Sequence, residues 1–136
     1  MFENAFLERW ENAKVNGLGT NEKIKFNPDP ELLEKFGFRH MDGFDDIPPH
    51  WHWHKTMVTD ITLDVDWYDR PYKGAQLQIV MIDESFLQPY DYQALIRNMP
   101  LEFVRYPFIV FERVEMELKV LADAGIISGH EYGDYV

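Results

Sequence analysis

The chain has 136 residues, no cysteine, a hydrophobic fraction of 46% and an aromatic fraction of 15%; 24 acidic against 13 basic side chains leave a formal charge of −11. That length fits a single globular domain over residues 1–136 with enough apolar surface to bury a core, and the lack of cysteine excludes disulfides and thiolate metal sites. So acidic a domain repels phosphate backbones and attracts basic surfaces, which argues for a protein partner and against direct nucleic-acid binding.

No apolar run approaches the ~20 residues that span a bilayer, so no membrane role is expected. The opening "MFENAFLERWENAKV" carries acids where a secretion signal would carry positive charge, and a cytoplasmic location is the expectation. In that segment Phe2, Phe6 and Trp10 stand four apart, with Ala5 and Ala13 beside them, which predicts a helix stopped at Asn16-Gly17. A turn-rich stretch follows, in which Ile24 to Phe26 fits a short strand. A second helix is marked at both ends: Asp29 as cap, Pro30 at the first helical position, Glu31 in the first turn and Gly37 at the close. Residues 38–49 read as a loop held down by Phe38, Phe44 and Ile47.

From Trp51 to Trp67 the odd positions are mostly apolar and the even positions, Val58 apart, polar, a period of two that predicts a sheet with one packed and one wet face. A strand of that length needs a break, expected near residues 55–59. Pro71 and Gly74 then supply a turn and "QLQIVMID" returns, giving a central hairpin over about residues 51–83. Residues 89–98 fit a short helix. "PFIVFERVEMELKVLADAG" predicts a long one starting at Pro107 and ending at Gly125. Phe111, Val114, Leu118 and Leu121 form its stripe, Ile109, Met116 and Val120 widen it, and Glu115 pairs with Lys119 on the exposed side. The tail from Ser128 reads as loop or a terminal strand. The expected fold is therefore α+β: an antiparallel sheet of about three strands, with two N-terminal and two C-terminal helices on one face.

Two clusters carry candidate chemistry. In "PPHWHWHK" an extended backbone throws His50, His52 and His54 to one side. Neighbours two apart stand ~7 Å apart, within reach of one metal ion, whereas His50 and His54 are about 13 Å apart. His50 and His52 are thus candidate ligands for a divalent transition metal, with a third ligand to come from His40, Asp60, Glu112 or His130. The alternative is that Trp51 and Trp53 anchor a strand whose histidines lean on neighbouring acids. A paired histidine on a strand resembles the cupin metal site. A cupin, however, places a glutamate four or five residues later, where this chain has Thr56 to Thr59, and the family is not assigned.

The second cluster is "DITLDVDWYD". Asp60, Asp64 and Asp66 share parity, and Asp69 follows, so the four define a carboxylate-rich face suited to a basic groove on a partner. The alternative is a solvated face whose charge blocks edge-to-edge aggregation.

No phosphate-binding glycine loop, zinc-protease helix or nucleophile elbow occurs in the sequence. Residues 114–136 are similar to the end of a winged-helix domain. Glu112, Glu115 and Glu117 nevertheless stand where DNA phosphates would require Lys or Arg, and no family follows from it. The sequence points first to a non-enzymatic acidic binding protein, such as an inhibitor, immunity factor or mobile-element accessory protein, without a required cofactor. Next come a metal-binding module or metal-dependent enzyme built on the histidine strand, and a subunit of a larger assembly, a homo-oligomer included.

Overall fold

The computed structural model describes residues 24–90, 95, 98 and 100–131. Its order is β1 (Lys25–Phe26), α1 (Pro30–Phe36), β2 (Arg39–Met41), β3 (His50–Val58), β4 (Ile61–Tyr72), β5 (Ala75–Asp83), β6 (Gln88–Pro89), α2 (Leu101–Asp123) and β7 (Ile127–Ser128). The expected helix over residues 2–15 lies outside the described residues, and the one over 89–98 falls mostly outside them.

The sheet is not one of about three strands, and of the four expected helices the described residues hold α1 and α2. Strands β2 to β6 make one five-stranded sheet in chain order, and β1 pairs with β7 in a separate two-stranded sheet. Neighbouring strands all run antiparallel, so the large sheet is a meander with β4 at its centre. Among the described residues there are two helices. The extra strands are two or three residues long, too short for a period of two to declare itself. Strand β6 ends in Pro89, which suits an edge because proline has no N–H to give the ladder.

The long alternation over residues 51–67 is two strands, not one. The chain reverses at Thr59–Asp60, with Asp60 in the left-handed region at φ 65°. A shift in register between Thr56 and Val58 absorbs Met57 as an extra residue, so odd positions still face odd positions, as in Trp53 opposite Val65. A two-residue turn alone would have swapped the faces. The hairpin therefore reads in sequence as one unbroken strand. At the β4–β5 end Lys73 and Gly74 both have positive φ, 51° and 89°, as a type I′ turn requires.

Helix α1 forms as its caps predict. The Asp29 carboxylate accepts from the Glu31 amide at 3.2 Å, and Gly37, at φ 122°, returns its amide to the Leu33 carbonyl at 3.1 Å. Helix α2 begins six residues before Pro107, so this proline lies inside the helix and leaves the residue 103 carbonyl without its usual amide. At its far end the Ile126 amide bonds the Leu121 carbonyl at 3.0 Å, closing the helix over Gly125.

The core lies between α2 and the odd-numbered face of the sheet. Phe111, Val114, Leu118 and Leu121 of α2 are completely buried in one cluster with Leu63, Val65, Ile79 and Met81. Burying each such side chain contributes about 1.5–3 kcal/mol. Trp53 packs against Phe36 and Phe38, and Trp67 stacks on Phe26 with centroids 5.0 Å apart, so the tryptophans tie α1 and β1 to this side. Ile109, Met116 and Val120 do not widen the stripe; they are exposed, as is Phe44, which does not hold its loop down. Lys55 emerges at the margin of the helix face and meets Glu117 at 2.6 Å, while Arg113 donates to the Met57 carbonyl at 3.2 Å. Both contacts pin α2 to β3. Among the described residues no helix is long and apolar enough to cross a membrane.

Candidate metal centre on the open sheet face

The register between β3 and β4 sets His52 opposite Asp66, His54 opposite Asp64 and His50 opposite Tyr68. Directly paired residues share a face, so the three histidines and two of the aspartates meet on the side away from α2. The histidine cluster and the acidic cluster, separate in sequence, are one site in space.

Its geometry is tight. The His52 Nδ1 lies 2.7 Å from the Asp66 Oδ1, and the His52 Nε2 lies 2.9 Å from the His54 Nδ1. The His50 Nδ1–H donates to the Pro48 carbonyl at 3.0 Å, and its Nε2 stands 3.8 Å from Asp66. The Thr62 hydroxyl reaches Asp64 at 3.1 Å and Glu84 at 2.9 Å; with one proton it donates to one of them at a time. His52 and Asp66 keep only 25% and 14% of their side-chain surface, so these charges are largely out of water.

The hydrogen bond that His52 donates to Asp66 raises the pKa of His52, burial opposes it, and the negative charges of Asp66 and Asp64 add to the rise. Burial raises the pKa of Asp64, with the Thr62 hydrogen bond and the charge of His52 working against it. These are the marks of carboxylates and imidazoles sharing one partly dry surface.

His52, Asp64 and Asp66 each offer a ligand-type atom, and the three atoms lie within 4.8 Å of one another. Among the described residues this is the only trio of its kind. His40, Asp60, Glu112 and His130, the expected sources of a further ligand, are not part of it. Asp60 occupies the β3–β4 turn and Asp69 is exposed near the other end of β4, so the four aspartates do not form one row. A shallow cleft of about 450 Å³ opens beside the cluster, lined by Gly37, Arg39, Met41, His52, Trp53 and His54. Arg39, opposite His52 on β2, brings a positive charge to its rim.

A second pair went unpredicted. Glu115 does not meet Lys119, which bonds Asp123 at 2.9 Å instead; its Oε2 meets the His130 Nε2 at 2.9 Å, and both side chains are more than nine-tenths buried. The Glu115 Oε1 and the His130 Nδ1 have no hydrogen-bond partner. The signal was present in sequence, because Glu115 stands four residues after Phe111 and three before Leu118, on the buried stripe.

Comparison with known proteins gives no match: no protein-family model, no curated protein and no solved structure resembles the chain.

Proposed function

We propose that this chain is a metal-binding domain that holds a divalent cation on the sheet face away from α2, at the cluster of His52, Asp64 and Asp66. The observation that carries this reading is the gathering of three ligand-type atoms within 4.8 Å from two strands, at a half-buried position where paired carboxylates gain from a cation. The test is metal analysis of protein purified without an affinity tag, alongside calorimetric titration of the metal-free chain. One ion per chain, lost in Asp64→Ala, is the expected result. No binding at millimolar metal would overturn it.

A second reading, docking onto a basic protein, is favoured by the formal charge of −11 and by Asp60 and Asp69, which stay exposed at either end of β4. Asp64 and Asp66 serve it less well, since their oxygens already engage Thr62 and His52. Such docking should weaken with salt, because screening shortens the reach of charge to ~8 Å near physiological ionic strength. A partner captured with salt-independent affinity would count against it. Both readings take the cytoplasm as the compartment, on the ground that the chain has no cysteine.

A further inference from the structure

Resting on the metal-binding reading and refining its ligand set, we infer that the site is built for a transition ion bound by two imidazoles: His52 through Nε2 and His54 through Nδ1, with Asp64 as the anionic ligand and Asp66 acting not as a ligand but as the positioning residue behind His52. Magnesium and calcium, which take oxygen ligands, are the wrong class of ion for such a set; zinc, nickel, copper and cobalt are the right one.

The inference starts from two nitrogens that face each other. The His52 Nε2 and the His54 Nδ1 are 2.9 Å apart, on rings whose centroids are 5.1 Å apart. Two ligands held ~2.05 Å from one ion are about 2.9 Å apart at a right angle and about 3.4 Å apart at the tetrahedral angle. In the metal-free chain this contact is a hydrogen bond, so an ion that takes both nitrogens displaces its proton, at a spacing that already suits two ligands at a right angle. A tetrahedral ion needs the rings to part by about 0.5 Å, a small rotation for side chains on a sheet surface.

Asp66 explains why His52 turns its Nε2 outward. A carboxylate 2.7 Å from the Nδ1 fixes the proton there, leaving the Nε2 lone pair for an ion. Metal-bound histidines habitually donate their other N–H to such a carboxylate, which sets the ring and strengthens it as a ligand. Asp64 supplies negative charge from the strand opposite, since it is the direct partner of His54 and acts electrostatically on both rings. His50 is spoken for: its Nδ1–H goes to the Pro48 carbonyl and its Nε2 faces Asp66. The cleft beside His52 and His54 gives the ion an entrance.

The experiment is a zinc titration of untagged, ¹⁵N-labelled full chain, followed by long-range proton–nitrogen spectra of the imidazoles. The expected result is that one equivalent of zinc moves the His52 Nε2 and His54 Nδ1 resonances into the range of ligated nitrogen, while both His50 nitrogens keep their positions. Excess magnesium or calcium should leave the spectrum unchanged. In the metal-free chain Asp66→Asn should alter the tautomer of His52 and weaken zinc binding about 10- to 100-fold, with Asp66→Glu restoring both. Binding of zinc with His54 unperturbed would overturn this ligand set and leave the general metal reading standing. Displacement of zinc by equimolar magnesium would overturn the assignment of ion class. No zinc binding at all would overturn both proposals.

Discussion

On the helix side of the meander Leu63, Val65, Ile79 and Met81 are sealed under α2, whereas one residue along, on the other side, Asp64, Asp66, Val80 and Ile82 stay half-buried. The same backbone alternation sets out both rows. On the helix side burial alone decides the residue types, and any apolar side chain of the right volume would serve. On the other side the register brings His52 against Asp66, a cross-strand contact that each of the two polar groups needs. One face is covered by α2, and the other sets His52, His54, Asp64 and Asp66 at fixed spacing beside buried Thr62 and Tyr68 and half-buried Val80 and Ile82.

The sharpest way to break this contrast is at the centre of the covered face. Leu63→Ala opens a cavity among fully buried neighbours and should cost about 3 kcal/mol in denaturant unfolding, well above the effect of any single substitution on the open face. The buried pair of Glu115 and His130 comes next. His130→Ala strands the Glu115 carboxylate under cover and should cost about 3 kcal/mol or slightly less, while replacing both residues with leucine should recover most of the loss. If the double change is no better than the single one, the pair contributes attraction and not merely mutual compensation. Asp66→Ala removes a partner from a surface that still meets water, and about 1 kcal/mol is expected. A loss as large as that of Leu63→Ala would mean the open face is core after all.

The smallest effect is in alkali. Burial raises Tyr68 and Tyr90 from an ordinary pKa of 10.0 to about 12, with the Asp66 charge adding at Tyr68 and Tyr106 adding at Tyr90. A raised acid favours folding while protonated, so its contribution is complete below pH 10 and is lost as the pH climbs towards 12. Absorbance at the tyrosinate band should therefore show Tyr68 and Tyr90 titrating late. Tyr68→Phe should remove one of them without changing stability at neutral pH.

Much of this was legible in the residues. The caps of α1, the buried odd-numbered row of β4 and the stripe Phe111, Val114, Leu118 and Leu121 of α2 follow from local rules and hold in the structure, whereas the even-numbered row is less wet than its residues imply, since Thr62 and Tyr68 are buried. The hairpin reversal was hidden because the Met57 bulge restores the parity that the turn would have broken. Strands β2 and β6 were hidden by brevity. Pro107 misled because a proline at a first turn and one inside a long, well-packed helix look alike in sequence. The site itself was half visible: its histidines and aspartates were picked out separately, and only the register of β3 against β4 brings His52 and His54 beside Asp66 and Asp64.

The most direct measurement is an anomalous difference map from crystals of the untagged chain soaked in zinc, with data collected either side of the zinc edge. The account predicts one strong peak between the rings of His52 and His54, on the side facing Asp64. A peak elsewhere on the chain, or a flat map at full soak concentration, would contradict it.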